Sequence, residues 1–364
     1  MELSFIGDLC LGRHVREKFE KSECQFVSNE IIERLKKNGG KVIANLESPV
    51  SDVFENKNVR FCGTPAMLRQ FGWVDCFSLA NNHINDFGRD AISSTIGCLQ
   101  NLGICYNGLY EEEYSPYIIK EDNNNVAILM CTTRLNCPIE DDCDYQFLNV
   151  YEELLYTQIK RYKEDGYLVI VFAHMGSMFC RYPNADVLGI IHKMIEYGSD
   201  CIVTSHPHCI GGVYSYQGKP VFYSLGDFLM DGESFRRRCS YAVKLDIQNN
   251  NIKCWELIPA ITTIDLEVVP PEERVANRIL KNISKVSSTM SKERKNYERF
   301  YAFRYKLDVI SHSFSTIHYI YSSGGFSNLI SHLIKRLSGI RWMMSRFMYG
   351  SSAEQLKKES ISGH

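Results

Sequence analysis

Histidines, carboxylates and an asparagine recur along the chain, each at the end of an apolar, strand-like segment. Imidazole nitrogen and carboxylate oxygen are ligands that Zn, Mn and Fe accept in proteins. Ligand sites in α/β folds gather outside the carboxyl ends of the strands, so five strand ends of this kind predict one shared metal centre. In chain order these residues are Asp8, Glu47, Asn81-Asn82-His83, His174, and the pair His206 and His208.

The histidine pair is the most specific of these features. His206 and His208 flank Pro207 directly after a strand-like segment. Residues two apart on an extended segment face the same side, and a turn at Pro207 can direct both rings inward. A single histidine after a strand is more often a satisfied structural residue. The pair, together with His174 after another strand, favours metal ligation.

Asp8 and Glu47 each have a structural alternative. Asp8 follows Gly7, where the backbone can turn or approach closely, and it could equally cap the next element. Glu47 could be a solvated turn residue. Beside the histidines the metal interpretation gains weight, because one carboxylate can bridge two cations and neutralise their mutual repulsion.

The segment 78–88 holds both a ligand and an acid–base candidate. The side-chain oxygen of Asn82 can bind a metal, and His83 can reach a leaving oxygen as a general acid. Asp86, three residues further on, can orient that imidazole. The alternative is a turn rich in Asn and His that leads into the next helix, with Asp86 helping to cap it.

Alternating strand-like and helix-like segments must position these residues. Several strands are continuously apolar, as strands buried on both faces are, and each predicted helix ends at glycine. The alternation predicts a layered α/β domain, closed by a hairpin over 241–247 and 252–259. The other predicted strands are 3–6, 41–46, 74–79, 126–131, 168–173, 201–204 and 221–224, and the predicted helices are 28–37, 89–102, 151–165 and 185–197.

The composition excludes several classes of protein. With 364 residues, 45% apolar and 23% charged, the chain is neither disordered nor collagen-like. No apolar run approaches the roughly 20 residues that span a bilayer. The start has no basic or apolar leader, and the 14 cysteines contain no CxxC pair and fall largely in apolar segments. We therefore expect a cytoplasmic protein with reduced thiols.

Charge divides the chain near Pro270-Pro271. Residues 1–269 hold 25 Lys and Arg against 36 Asp and Glu, a balance of −11, whereas residues 270–364 hold 16 against 7, a balance of +9. This change predicts a main domain over 1–269 and a basic helical extension over 270–364. Helical character is predicted for 272–310.

Within the extension, residues 326–348 repeat apolar positions at helical spacing, with Lys and Arg among them. A basic amphipathic helix can lie on an anionic membrane, which would make the protein peripheral there. The alternative is that the helix docks its apolar stripe on the acidic main domain. We favour docking, because the net charges of the two regions are complementary.

Six motifs, in this order, resemble those of CapA-type capsule (poly-γ-glutamate) synthesis proteins, which are themselves similar to calcineurin-like metallophosphoesterases. The resemblance covers roughly residues 1–260. It implies a layered β-sandwich flanked by helices, with one or two divalent transition metals (Mn, Zn or Fe). The motifs are Gly7-Asp8…Gly12-Arg13, Asn45-Leu46-Glu47, Ser78-Leu79-Ala80-Asn81-Asn82-His83…Asp86…Gly88, Ala173-His174-Met175-Gly176, His206-Pro207-His208 and Tyr223-Ser224-Leu225-Gly226-Asp227-Phe228.

The resemblance implies a role for each matching position. Glu47 falls where metallophosphoesterases place a bridging carboxylate, and His83 falls on the general acid, with Asp86 beside it. Arg13, next to the Asp8 motif, could bind a substrate anion bidentately. The implied metal ligands are Asp8, Glu47, Asn82, His174, His206 and His208, the last two serving one metal each.

The chain departs from the family pattern at three places. Metallophosphoesterases commonly begin Asp-x-His, but position 10 is Cys, which would leave the first metal site short of a ligand. CapA relatives usually have His-Trp-Gly-x-Glu where this chain has His174-Met175-Gly176-Ser177-Met178. The usual Ser-Leu-Gly-Asn-Phe has Asp227 in place of Asn. These changes bear on substrate identity more than on metal binding.

The leading functional hypothesis is a metal-dependent hydrolase of a phosphoester or related anionic bond, acting on a small molecule or polymer in capsule, poly-γ-glutamate or other surface-polymer synthesis. The alternative is a non-catalytic accessory subunit that holds a polymer synthase at the membrane through the C-terminal helix. A nuclease ranks last, because no stacking-aromatic motif accompanies the basic tail. Metal content separates the first two, since an accessory protein need not keep metal.

Overall fold

Strands and helices alternate through most of the computed structural model, which describes residues 1–22, 24–54, 60–133, 144–232, 234–290, 297–311 and 313. The α-helices α1 to α7 are Arg13–Ser22, Asn29–Lys36, Pro65–Leu68, Gly88–Asn101, Glu153–Glu164, Ala185–Glu196 and Glu273–Met290, and residues 297–311 are also helical. The strands β1 to β16 are Glu2–Leu9, Lys41–Leu46, Cys76–Ser78, Cys105–Asn107, Leu109–Tyr110, Tyr117–Glu121, Asn124–Thr132, Gln146–Phe147, Leu168–His174, Cys201–Ser205, Val213–Tyr216, Lys219–Phe222, Asp227–Leu229, Cys239–Gln248, Asn251–Thr262 and Val268–Val269.

Two sheets hold the strands that end at the predicted site residues. The first has the order β16-β15-β14-β1-β2-β3-β4, with β13 also paired to β1. The second has the order β11-β12-β10-β9-β7-β6. Strands β1 to β4 run parallel in the first sheet, and β7, β9, β10 and β12 run parallel in the second. Each sheet therefore presents its carboxyl ends along one edge.

The two sheets pack face to face, with helices on their outer faces. Phe5 of β1 meets Phe172 of β9 edge-on, with ring centroids 5.5 Å apart, inside the apolar layer between the sheets. Outside the first sheet, α2 and α4 pack on it, and outside the second sheet α5 and α6 do the same. Strands that are covered on both faces explain the continuous apolar runs in the sequence. The predicted layered β-sandwich flanked by helices is confirmed.

The strands and helices expected from the sequence are present with small shifts at their ends. The strand predicted at 74–79 is shorter, at Cys76–Ser78, and the predicted hairpin is formed by β14 and β15. The sequence patterns did not predict α1 or β6. Helix α1 buries only Val15, and β6 is an edge strand that buries only Ile119, so few buried residues mark either element.

The helical character predicted for 272–310 is confirmed at 273–290 and 297–310, and residues 291–296 lie outside the described residues. Helix α7 packs on β11 and β15 and buries Ile279, Ile283 and Val286, each no more than 2% exposed. The chain divides into one unit from Met1 to Ile310 and a second from Ser311 to His364. The change of charge at Pro270-Pro271 therefore lies inside the first unit. The helix predicted at 326–348 lies outside the described residues.

The state of the cysteines and the character of the helices bear on the predicted compartment. All twelve cysteines within the described ranges are free thiols, and most of them are buried. This agrees with their interpretation as small hydrophobic residues. No helix in the described part of the chain combines the length and the apolar character that a bilayer crossing needs.

Candidate metal centre

The predicted ligands meet where the strand ends of the two sheets approach each other. Asp8 lies in β1, in register with Asn45 of the neighbouring β2. His174 ends β9, in register with Ser205 at the end of β10. None of the six predicted metal ligands is more than 7% exposed. The parallel strands of both sheets thus deliver these side chains to one buried place.

One group of ligand atoms centres on His174. Its Nε2 lies 2.6 Å from Oδ1 of Asn82, 3.0 Å from Nδ1 of His206 and 3.5 Å from Oε1 of Glu47. Glu47, His174 and His206 each offer a ligand atom within 4.8 Å of the others. Burial lowers the pKa of His174, which favours the neutral imidazole that binds metals.

A second group shares Glu47 with the first. Asp8, Glu47 and His208 offer ligand atoms that lie within 4.8 Å of one another. Nε2 of His208 lies 3.7 Å from Oε1 of Glu47, and its Nδ1 lies 3.8 Å from Oδ2 of Asp8. The structure thus brings all six predicted ligands together, with Glu47 between the two groups, where the resemblance implied a bridging carboxylate.

Glu47 is the residue that tests whether a cation fits. It is fully buried, and neither carboxylate oxygen accepts a hydrogen bond within the described structure. Burial raises the pKa of the Glu47 carboxyl well above its usual range, and the nearby Asp8 carboxylate raises it further. Burying a carboxylate without donors is costly. A cation between the two groups would supply the missing positive charge, so the donor set fits a divalent metal.

Asp8, in contrast, is held as an anion by the chain itself. Asn45 Nδ2 donates a hydrogen bond of 2.7 Å to its Oδ1, and the backbone N–H of His206 donates one of 2.9 Å to its Oδ2. Burial alone raises the pKa of the Asp8 carboxyl, but its contacts with His174 and His208 hold it below the usual range. This carboxylate is therefore ionised and positioned before any metal binds.

The turn after β10 aims both histidines into the site. His206 has φ 97° and His208 has φ 52°, both in the left-handed region that non-glycine residues rarely adopt. Such backbone conformations persist only where surrounding contacts hold them, and they cluster at functional sites. The turn at Pro207 thus contributes one histidine to each of the two neighbouring ligand groups.

Asp227 fixes the ring of His208. Its Oδ1 lies 2.8 Å from Nδ1 of His208, which leaves Nε2 on the side of Glu47. A carboxylate on the far nitrogen of a ligating histidine sets its tautomer and raises its basicity. From the sequence, Asp227 is only a departure from the family pattern, with no predicted role. The signal in the sequence that could have revealed this role was a carboxylate in the motif that follows the histidine pair.

His83 and Asp86 form the contact that the segment 78–88 predicts. Nδ1 of His83 lies 2.9 Å from Oδ2 of Asp86, and the ring stacks on Phe61 with centroids 4.2 Å apart. The N–H of Phe61 donates to the same Asp86 oxygen at 2.7 Å. Helix α4 begins at Gly88 with no side-chain cap, so the capping alternative for Asp86 is not what the structure shows.

Arg13 is paired within the chain. Its Nε donates to Oδ2 of Asp231 and one terminal nitrogen lies by Oδ1, both at 2.8 Å. The guanidinium also lies over the ring of Phe61, 5.1 Å from its centroid. Nδ1 of His14 adds a third contact to Asp231, at 3.1 Å. The guanidinium of Arg13 thus already binds the carboxylate of Asp231. Its substrate-binding role stays a prediction.

Cys10, at the position of the usual histidine, does not extend the second group. It is buried in a small apolar cluster with Phe61 and Met230. Burial raises the pKa of its thiol well above the usual range, and the neighbouring Glu47 raises it further. Within the described residues, the His, Cys and carboxylate donors of the second group are Asp8, Glu47 and His208, without Cys10.

Comparison with known proteins agrees with these features. A family model described as bacterial capsule synthesis protein PGA_cap matches residues 2–232, which include both ligand groups. The chain belongs to this family. The resemblance to CapA-type proteins is thereby confirmed.

Relatives within this family are distant in sequence. The chain is 26% identical to the capsule biosynthesis protein CapA of Bacillus anthracis, over 71% of the chain and 67% of that protein. It is 25% identical to the PGA biosynthesis protein CapA of Bacillus subtilis, over 74% of the chain and 73% of that protein. A probable polyglutamine synthesis accessory protein of Mycobacterium tuberculosis is 24% identical, over 50% of the chain and 54% of that protein.

Proposed function

We propose that this protein is a metal-dependent hydrolase that cleaves a phosphoester or related anionic bond during capsule or poly-γ-glutamate synthesis. The observation that carries the proposal is the buried Glu47 carboxylate, which accepts no hydrogen bond in the described structure and lies in both ligand groups. Family membership and the names of the Bacillus relatives support the pathway. The substrate is an anionic small molecule or polymer.

The chain offers two sets of donors for divalent cations. Glu47, Asn82, His174 and His206 would hold one ion, and Asp8, Glu47 and His208 would hold the other. Mixed nitrogen and oxygen donors suit Mn, Zn or Fe. Bound at such a site, these ions act as Lewis acids and lower the pKa of water to about 7.

The other residues of the site position groups and move a proton. Asp86 holds Nδ1 of His83, so the proton for the leaving oxygen is delivered from Nε2. Asn45 and Asp227 keep Asp8 and His208 in their orientations. The near-complete burial of these side chains strengthens the electrostatic interactions within the site.

Metal content and hydrolysis test the proposal together. Purified protein is expected to carry a transition metal by elemental analysis, and the double variant His206→Ala, His208→Ala is expected to lose it. Hydrolysis is then screened with phosphomonoesters, phosphodiesters and poly-γ-glutamate in the presence of Mn or Zn. A double variant with wild-type metal content would refute the ligand assignment, and a metal-loaded protein inert toward every substrate would refute the hydrolase.

A non-catalytic accessory role is the second candidate. It is favoured by the accessory function in the name of the Mycobacterium relative and by the three-donor second group that Cys10 leaves. An accessory subunit would act on a polymer synthase, at the membrane if residues 326–348 bind there. In this case the His206→Ala, His208→Ala chain would restore polymer production in a strain lacking the protein. A hydrolase would not restore it.

A further inference from the structure

A second arginine, Arg237, lies buried beside the metal-ligand groups. It is 9% exposed and lies in the turn that precedes β14, where its backbone N–H donates to the Ser234 carbonyl at 3.0 Å. Its guanidinium lies 5.6 Å from the ring centroid of Phe179, whose ring in turn lies 6.3 Å from that of His208. The positive charge is thus one aromatic ring away from a predicted metal ligand.

The guanidinium of Arg237 is only weakly matched by the chain. One terminal nitrogen lies 3.5 Å from Oδ2 of Asp227 and 3.3 Å from Sδ of Met230. A charge-assisted hydrogen bond is usually about 2.7–2.9 Å long. Its Nε is buried and has no hydrogen-bond partner in the described structure. The other oxygen of Asp227 is taken by His208 at 2.8 Å.

Asp231 and Asp308 are committed to other cations. Asp231 holds Arg13 through two contacts of 2.8 Å and contacts His14 as well. Asp308 holds Arg181 at 2.7 Å and Arg236 at 3.3 Å. A buried charge whose donors are unmet is costly unless an anion completes its hydrogen bonds. Within the described residues, Arg237 contacts a carboxylate only at 3.5 Å, through Asp227.

We propose that Arg237 binds an oxyanion of the substrate, a carboxylate or a phosphoryl group, next to His208. The planar fork of arginine matches both groups through two parallel hydrogen bonds. Phe179 supports the guanidinium from one side, and Asp227 connects it to the ring of His208. This role deepens the proposed function and rests on it, because the anion is that of the hydrolysed substrate. Arg237 thereby takes the anion-binding role that the sequence predicted for Arg13.

Calorimetric titration of the full-length protein with inorganic phosphate and with glutarate tests this role. Losing a hydrogen-bonded charge pair costs about 1.5–3 kcal/mol, so Arg237→Met is expected to weaken binding about 10- to 100-fold. Arg237→Lys keeps the charge without the fork and is expected to lose less. Arg238→Met is the matched control, because this half-buried neighbour has no contact with Asp227 or Phe179 in the described structure.

The two probes separate the two sources of the oxyanion. A loss confined to phosphate assigns a phosphoryl group, and a loss confined to glutarate assigns a carboxylate. The role of Arg237 is overturned if the wild type binds neither probe, or if Arg237→Met and Arg237→Lys both bind as tightly as the Arg238→Met control.

Metal content, measured on every variant, keeps this result apart from the proposed function. Wild-type protein that carries no metal but binds phosphate through Arg237 would refute the metal-dependent hydrolase and leave the anion site standing. Protein that carries metal and hydrolyses a substrate, yet binds anions equally well without Arg237, would do the reverse.

Discussion

Asp227 pairs in register with Asp8 across two parallel strands, and its carboxylate lies 2.8 Å from Nδ1 of His208. One strand pairing therefore places the carboxylate that orients His208 beside the carboxylate that would share a cation with it. The other oxygen of Asp227 faces Arg237 at 3.5 Å. A single aspartate thus links the orientation of a predicted metal ligand to the proposed anion site.

Asp227→Asn is expected to weaken metal binding about tenfold or more, because partners of a ligating histidine typically contribute 10- to 100-fold in affinity. The substitution keeps the size of the side chain and removes its charge. Competition with a chelator, followed by elemental analysis, measures the effect. Asp265→Asn serves as the control, since Asp265 is 86% exposed and pairs with Lys18 rather than with a predicted metal ligand. Equal metal affinity in the two variants would contradict an orienting role for Asp227.

His83→Asn is expected to leave the metal content near the wild-type level and to slow turnover by about 10²- to 10⁴-fold, the usual contribution of a general acid. Asp86→Asn should produce a smaller loss, because the imidazole stays while the carboxylate that holds its Nδ1 loses its charge. Turnover is measured with the best substrate of the hydrolysis screen. Unchanged turnover in His83→Asn would remove this residue from the mechanism.

Asp308→Asn is expected to destabilise the protein by about 2–4 kcal/mol, since it leaves partly buried arginines without their anion. Asp308 is 1% exposed and accepts hydrogen bonds from the side chain and the backbone N–H of Arg181. It thereby ties the 297–311 helix to the loop after β9. Urea unfolding measures the change. The exposed pair of Lys18 and Asp265 is the comparison, and Asp265→Asn should cost no more than about 0.5 kcal/mol.

The same pair predicts how stability depends on pH. Burial raises the pKa of the Asp308 carboxyl, but Arg181 and Arg236 hold it below its ordinary value of 3.8. A carboxyl with a lower pKa in the folded state stabilises the protein above the unfolded pKa, and that contribution is lost as the pH falls through the folded value. The difference in unfolding free energy between wild type and Asp308→Asn should therefore shrink below about pH 4. A difference that stays constant from pH 7 to pH 3 would contradict the pairing.

Truncation separates the two parts of the basic extension. A chain ending at Val269 loses α7, exposes the apolar surface that Ile279, Ile283 and Val286 cover, and is expected to aggregate. A chain ending at residue 313 keeps α7 and the 297–311 helix and is expected to stay monodisperse in size-exclusion chromatography. The sequence alone led us to expect that a chain ending at Pro270 would fold, and the buried face of α7 changes that expectation.

Vesicle sedimentation addresses the segment 326–348. If this segment docks on protein, as the complementary charges favour, the full-length chain should remain in the supernatant with anionic vesicles. Co-sedimentation that high salt reverses, and that is absent from the chain ending at residue 313, would instead establish a membrane-binding helix.

The sequence by itself predicted the layered fold and six candidate ligands, whose side chains the structure brings together. Apolar runs marked buried strands, and each ligand lies at or just past the end of such a run, so its place depends on local order along the chain. Parallel strands bring these ends to one edge of a sheet whatever the finer packing is. Asp8, Glu47 and His174 could therefore be found without knowing which strands are neighbours.

Only the tertiary structure decided how the residues around these ligands are paired. Asp227 reaches His208 because β13 lies beside β1, and Arg13 meets Asp231, 218 positions away, through the same packing. Such pairings depend on strand register and on the turn before β14. Neither feature corresponds to a local pattern in the sequence. The burial of α7 likewise overrides the change in charge at Pro270-Pro271, because packing an apolar helix face against β11 and β15 outweighs a difference in composition.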